Sequence, residues 1–187
     1  MKSEREERII MGIDPGTTVT GYGIIRGEGP AISLVTYGLI RSSRHDNHFD
    51  KISRIFTETL SLIDTYGITE LSVESPFQGK NVQSMLKLGR AQGAAISAAL
   101  HRSLPVSEYA PRKIKISVTG QGSASKEQVA GMVMNMLGLS EEGVSLDATD
   151  GLAAAVCHFY QGRVGPCSGK PQTWKDFIDK NPDRTSG

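Results

Sequence analysis

Residues 8–26 of the chain are RIIMGIDPGTTVTGYGIIR, two apolar stretches on either side of an Asp-Pro-Gly turn sequence. Since a Pro-Gly pair ends regular structure, the pattern predicts a short buried strand over residues 8–14 and a second strand over residues 18–26. A third strand is predicted over residues 32–41, after a turn that contains two glycines. Asp14 therefore stands at the end of the first strand of a sheet.

Helices and strands are predicted to alternate in the rest of the chain. The predicted elements are an amphipathic helix at 49–66, a strand at 70–74, a helix at 81–100, a strand at 104–109, a short helix opened by Pro111, a helix from the Ser125 capping box to Leu137, and a last helix at 148–160 with Asp147 as its N-cap. Three strands followed by alternating helices and strands predict an α/β fold with a mixed sheet flanked by helices on both faces.

Composition limits the kind of protein. A chain of 187 residues with 38% hydrophobic and 22% charged residues is typical of one globular domain. We expect that domain in residues 1–162 and a flexible tail in residues 163–187, where periodicity is lost. No apolar run is long enough to cross a bilayer, the first eight residues are too charged for a signal peptide, and the two cysteines form no CxxC pair. These features favour a cytoplasmic protein without a membrane partner.

Charge is distributed unevenly although the net charge is only +1. Residues 80–126 contain eight Lys or Arg and a single acidic residue, Glu108. A basic segment in a nearly neutral protein indicates a surface for a polyanion such as nucleic acid. A basic face that is simply solvated is the alternative on charge alone.

Four acidic residues have positions that suggest chemistry: Asp14, Glu74, Asp147 and Asp150. The first two end apolar strands, and the other two are three residues apart near the start of the last helix, on one face. If the first and fourth strands are neighbours, all four carboxylates can meet at the carboxyl end of the sheet. A divalent cation would relieve their repulsion, and oxygen ligands favour Mg²⁺ or Mn²⁺. Turn chemistry for Asp14 and helix capping for Asp147 are the structural alternatives.

Four motifs occur in order: GIDPG at 12–16 with TGYG at 20–23, Glu74 followed by Phe77, Lys80, Asn81 and LKLG at 86–89, GSASK at 122–126, and DATDGLA at 147–153. Together they resemble the RuvC family of Holliday junction resolvases, over about residues 9–160. The resemblance implies a ribonuclease H-like fold and a homodimer that cuts two opposed strands of a four-way DNA junction. It also implies Mg²⁺-dependent hydrolysis that leaves 5′-phosphate ends, in DNA recombination and repair.

The resemblance also implies roles for individual residues. The four acids would be the catalytic metal ligands, with two Mg²⁺ ions in each site and Mn²⁺ as a possible substitute. The residues expected by resemblance to contact DNA are Phe77, Lys80, Lys115 and Lys126, with Phe77 stacking on bases. Arg112 and Lys113 are added because they are close to Lys115 in the sequence and could bind a neighbouring phosphate. The many small residues of the predicted helix at 81–100 favour a part in the dimer interface, and a branch-migration complex of the RuvA and RuvB type is the expected partner.

Three other functions remain possible from the sequence. A phosphotransferase of the actin and sugar-kinase superfold also begins with a Gly-Ile-Asp-x-Gly-Thr-Thr strand, but it needs two such domains and a second glycine-rich phosphate loop. A ribonuclease H-like nuclease could act on another substrate such as an RNA–DNA hybrid, and a junction-binding module could lack activity. The four histidines show no metal-ligand spacing, although His158, on the last helix, could approach the site.

Overall fold

The structure is a computed structural model and describes residues 7–43, 45–76, 81–140 and 143–163. Phe77, Lys80 and residues 164–187 of the expected tail lie outside the described residues. Within the described ranges, no helix combines the length and the apolar character that a membrane span requires.

A single five-stranded sheet organises the described residues, in the spatial order β3-β2-β1-β4-β5. Its strands are β1 (Arg8–Asp14), β2 (Val19–Glu28), β3 (Ala31–Arg41), β4 (Glu70–Glu74) and β5 (Val106–Tyr109). The first three strands are antiparallel, whereas β1, β4 and β5 run parallel. The predicted mixed sheet is confirmed.

Five helices follow the predicted pattern: α1 (His48–Tyr66), α2 (Val82–His101), α3 (Pro111–Thr119), α4 (Lys126–Leu137) and α5 (Leu146–Arg163). The predicted capping box at the start of α4 is present, with Ser125 and Gln128 each satisfying the other's backbone N–H. The prediction that Asp147 caps α5 is wrong. The helix begins at Leu146, and the N–H of Ala148 donates to the side chain of Ser145, 3.2 Å away.

Two apolar cores lie on the two faces of the sheet. Successive residues of a strand point to opposite faces, so Ile10 of β1 packs with α3, α4 and α5 while Met11 packs with α1 and α2. The buried alanines of α2, from Ala91 to Ala99, belong to the second core. Part of the small-residue pattern of α2 therefore serves the protein's own sheet.

Helix α5 lies directly on the backbone of β1 and β2. A Cβ atom on Gly151 would be 2.6 Å from Tyr22 Cα, and Cβ atoms on Gly12 and Gly21 would overlap the main-chain oxygens of Gly151 and Asp147. Glycine is needed at these positions because the two backbones approach more closely than any side chain allows. This contact sets where the start of α5 stands relative to the ends of β1 and β4.

Candidate active site

The sheet brings the first two candidate acids to adjacent positions. Strands β1 and β4 pair in parallel, with Ile13 opposite Val73, so Asp14 and Glu74 are the next residues on neighbouring strands. The expectation that the first and fourth strands are neighbours is confirmed. Gln92 of α2, which is buried, donates from its side chain to the main-chain oxygen of Glu74 at 3.5 Å and to the Glu108 carboxylate at 3.2 Å. It thereby ties the end of β4 to α2 and β5.

A pocket of about 210 Å³ opens at these strand ends. Three of the four acids line it, one from each of β1, β4 and α5: Asp14, Glu74 and Asp150. Its remaining wall is formed by two lysines and by apolar residues of α3, α4 and α5: Lys115, Lys126, Pro111, Ile114, Val129 and Ala153. Asp147 stands beside the pocket with a half-exposed side chain, and its Oδ1 is 3.4 Å from the Lys126 ammonium that lines it.

The carboxyl groups in this pocket resist ionisation. Burial and the nearby Asp150 carboxylate raise the pKa of Asp14 to about 6. Burial and the charges of Asp14 and Asp150 raise the pKa of Glu74 to about 8. The pKa of Asp150 is also raised by burial, although the Lys126 ammonium opposes the effect. Clustered acids with displaced pKa values are a common property of functional sites.

Two lysines face these acids from α3 and α4 but bind different groups. The Lys126 ammonium is 2.5 Å from Asp150 Oδ2, whereas the Lys115 ammonium donates to the main-chain oxygen of Ala124 at 2.7 Å. Burial lowers the pKa of Lys126, but its contacts with Asp150 and Asp147 outweigh this and raise it overall. Lys126 therefore remains charged at neutral pH.

The donor set fits a hard divalent cation. Carboxylate oxygens line the pocket, and the buried Asp150 Oδ2 forms an ion pair with the Lys126 ammonium. Within the part of the chain that the structure describes, however, no three Asp, Glu, His or Cys side chains lie close enough together to hold a metal ion. The acids line one pocket, but their side chains are too far apart to form a complete metal-binding site.

The other predicted DNA-contacting residues lie around this pocket or outside the described residues. Arg112 and Lys113 are exposed in the first turn of α3, which also contributes Pro111 to the pocket wall. The side chain of Arg112 packs against Gly122 in the loop before α4. A Cβ atom on Gly122 would be 2.9 Å from Arg112 Cγ. Both residues therefore lie on a helix that borders the acids.

His158 does not line the pocket. It bridges two other side chains, with its Nδ1 2.8 Å from the Tyr109 hydroxyl and its Nε2 2.7 Å from Glu70 Oε2. Arg8 donates to both Glu70 oxygens, at 2.5 and 2.8 Å. These hydrogen bonds lower the pKa of Glu70 to about 2 and tie α5 to β1, β4 and β5. The sequence reasoning missed this network, although an acid in the buried ELSVE strand indicated that Glu70 needs partners.

Replacing Glu70 by Gln should destabilise the fold at neutral pH by about 1–2 kcal/mol, a value reduced to allow for its partial exposure. A carboxylate whose pKa is lowered from 4.5 to about 2 stabilises the folded state above pH 4.5, and this contribution is lost as the pH falls to 2. Urea unfolding of wild type and variant at pH 7 and pH 2.5 measures the difference. Asp64→Asn, which removes an exposed partner of Arg102, is the control. An equal difference at both pH values would contradict the assignment.

Comparison with known proteins identifies a family for this chain. The family model described as "Crossover junction endodeoxyribonuclease RuvC" matches residues 10–158. The crossover junction endodeoxyribonuclease RuvC of Porphyromonas gingivalis is 52% identical over 184 residues, covering 96% of this chain and 97% of the relative. That of Bacteroides fragilis is 54% identical over 183 residues, covering 96% of both.

A solved structure agrees with this match. It is titled "T. thermophilus RuvC in complex with Holliday junction substrate" and superposes with a TM-score of 0.79 at 31% identity. The alignment covers 84% of this chain and 96% of that one. The sheet order and the flanking helices described above are therefore those of the ribonuclease H-like fold found in this relative.

Proposed function

The chain belongs to the RuvC family of crossover junction endodeoxyribonucleases, and we propose that it resolves Holliday junctions with the acid-lined pocket between β1, β4 and α5. The observation that carries the site assignment is the meeting of Asp14, Glu74 and Asp150 from three separate elements beside two lysines. The reaction is hydrolysis of phosphodiester bonds in DNA recombination and repair. Paired cuts at opposed strands, leaving 5′-phosphate ends, complete the proposal.

Asp14, Glu74, Asp147 and Asp150 are the proposed catalytic residues and metal ligands. Membership of this nuclease family implies dependence on a divalent metal; we propose Mg²⁺, two ions in each site, with Mn²⁺ able to substitute. Such ions, when bound, supply an activated water and stabilise the leaving oxygen. At neutral pH the side chain of Glu74, whose pKa is raised to about 8, must release its proton before it can act as a ligand, whereas Asp14, with a pKa of about 6, must do so only in more acidic solution.

DNA contacts are proposed at the basic residues around the pocket. Lys115 and Lys126 would neutralise the phosphate at the cut, while the exposed Arg112 and Lys113 hold a neighbouring phosphate. Phe77 and Lys80 follow Glu74 closely in the sequence, so we propose that Phe77 stacks on a base and Lys80 contacts the backbone. The acids and these contacts together would place the scissile bond.

A homodimer would give the two sites that paired cuts require. Val82 and Leu86 are one turn apart on α2 and expose 66% and 53% of their surface, and no atom would meet a Cβ on Gly89 or Gly93. We propose that this exposed strip of α2 packs on its copy about a two-fold axis. The proposed catalytic domain is residues 1–162, with residues 163–187 as a separate tail. From its family, we also propose that the protein acts in the cytoplasm together with a branch-migration complex of the RuvA and RuvB type.

The direct test is incubation of the protein with a synthetic four-way junction, with and without Mg²⁺. Linear duplex and RNA–DNA hybrid of the same sequence are the substrate controls. Paired cuts in the junction alone, dependent on Mg²⁺, are the expected result. Cleavage of the hybrid in preference to the junction would instead support a ribonuclease H activity, and equal cleavage of the linear duplex would contradict structural selectivity.

Removal of the exposed cation at Lys113 should weaken junction binding in a salt-dependent manner. Each lost phosphate contact reduces the slope of log affinity against log salt by about 0.9, because one counterion fewer is released. Lys113→Ala and wild type are titrated with junction at several KCl concentrations without divalent metal. Lys51→Ala, on α1 away from the pocket, is the matched control. An unchanged slope for Lys113→Ala would remove this residue from the proposed interface.

A further inference from the structure

The Lys126 ammonium contacts both acids of α5. It is 2.5 Å from Asp150 Oδ2 and 3.4 Å from Asp147 Oδ1, and these two carboxylates lie within the first turns of the helix. Lys126 itself is the first residue of α4, which is fixed by its capping box. The ammonium of Lys126 therefore contacts two candidate metal ligands at once, as a bound metal ion would.

Lys126 reduces the repulsion among the acids of the pocket. Its charge favours the ionised forms of Asp14 and Glu74, which burial and the neighbouring acids oppose. Lys115 lines the same pocket, but its ammonium donates to the main-chain oxygen of Ala124 and forms no ion pair with a carboxylate of the described residues. Among the described residues of the pocket, the ion pairs with acids are those of Lys126.

The same contact occupies an oxygen that a metal ion would use. The buried Asp150 Oδ2 is paired with the Lys126 ammonium, and no three potential ligands in the described residues are close enough to hold a metal. A divalent cation held by Asp14, Glu74 and Asp150 would compete with the ammonium for that oxygen.

We propose that Lys126 is an internal placeholder for the divalent cation: it holds Asp147 and Asp150 while the metal is absent and is displaced when the metal binds. This inference rests on the proposed cation site at the same carboxylates. The displaced ammonium remains at the pocket edge on the rigid start of α4, free to bind a phosphate oxygen. Metal binding would thus free the Lys126 ammonium for the phosphate contact proposed above.

The test measures Mn²⁺ binding to the full chain without DNA, from the concentration of free Mn²⁺. Methionine keeps most of the apolar stem of lysine and removes the charge, so Lys126→Met is compared with Lys115→Met. Removal of a direct competitor should lower the Kd about tenfold for Lys126→Met, equivalent to one charge-assisted contact. Lys115→Met should change the Kd by less than about threefold, since only a more distant charge is lost. Equal effects of the two variants would overturn the placeholder role.

A second measurement uses the wild-type protein and does not depend on a variant that folds. Acetic anhydride modifies free lysine amines, and peptide mass spectrometry gives the modification of Lys126 relative to Lys115. Addition of Mg²⁺ should raise this ratio several-fold, because the Lys126 ammonium is released from its carboxylates. An unchanged ratio in protein that binds Mg²⁺ would overturn the inference while the proposed cation site stands. Failure of the wild type to bind either Mn²⁺ or Mg²⁺ would overturn the cation site and the placeholder together.

Discussion

Asp14→Asn should lower junction cleavage at least about 1,000-fold while the protein still binds the junction. Asp14 lines the pocket between Glu74 and Asp150, and an amide cannot supply the negative charge that a divalent cation requires there. A loss of this size corresponds to about 4 kcal/mol of transition-state stabilisation, as expected when metal-assisted hydrolysis is disabled. Junction affinity should stay the same or increase, because one source of repulsion against phosphate is removed.

The same substitution should stabilise the fold, which distinguishes a catalytic loss from misfolding. An acid whose folded pKa is raised from 3.8 to about 6 destabilises the folded state when it is ionised, by about 2–3 kcal/mol above pH 6. The neutral amide avoids this cost, so the gain over wild type should be full above pH 6 and disappear below about pH 4.

Single-turnover cleavage, junction binding without metal and urea unfolding at pH 7 and pH 4 together test this prediction. Asp50→Asn, in the first turn of α1, is the control acid because it does not line the pocket. It should leave cleavage at the wild-type rate. Cleavage by Asp14→Asn at a rate near that of wild type would refute the proposed site.

The positions of Asp14 and Glu74 could be predicted because strand ends are encoded locally. Each acid follows an apolar run, and the runs themselves predict strands. The meeting of the two acids also requires β1 and β4 to be neighbours in the sheet. The sequence could not establish this pairing, because the strands are about 60 residues apart and their order depends on how the whole chain folds. The observed strand order places β1 next to β4.

Contacts between distant residues could not be predicted. Lys126 and Asp150 are both visible as charges, but their ion pair depends on how α4 packs against α5. Glu70 required buried partners, yet Arg8 is 62 residues away and His158 is 88 residues away along the chain. Local patterns indicate that a buried charge needs a partner without indicating which one.

The wrong prediction of the N-cap residue of α5 has a different cause. Ser145 and Asp147 are both favoured N-cap residues, and they are two positions apart. Local preference does not choose between them. The structure uses Ser145, so that Asp147 lies within the helix and its carboxylate can reach Lys126.

Gly151→Ala should destabilise the fold strongly, although Gly151 does not line the pocket. Its Cβ would be 2.6 Å from Tyr22 Cα and 2.7 Å from Tyr22 C, and these backbone atoms belong to the middle of the sheet and cannot move aside. Helix α5 must therefore move away from β2 by about 1 Å. We expect a loss of about 3 kcal/mol, which lowers the Tm by about 6–12 °C for a domain of this size.

Cleavage should decrease about 100-fold in the same variant. Asp150 precedes Gly151 directly, so a displacement of α5 moves this carboxylate away from Asp14 and Glu74, and a misplacement of about 1 Å is enough for such a loss. Saturating Mg²⁺ should restore part of the lost rate, because the cation favours the arrangement in which the acids are close.

Gly131→Ala is the matched control for a glycine within a helix. Nothing lies within 4 Å of a Cβ at this position of α4, so alanine should raise stability by about 0.4–1 kcal/mol through better helix propensity. Thermal unfolding and junction cleavage are measured for both variants to test these expectations. If Gly151→Ala proves as stable as Gly131→Ala, α5 does not rest on the β2 backbone, and another contact must hold Asp150 beside Asp14. If it loses stability but cleaves at the wild-type rate, the acids are positioned independently of the close approach between helix and sheet.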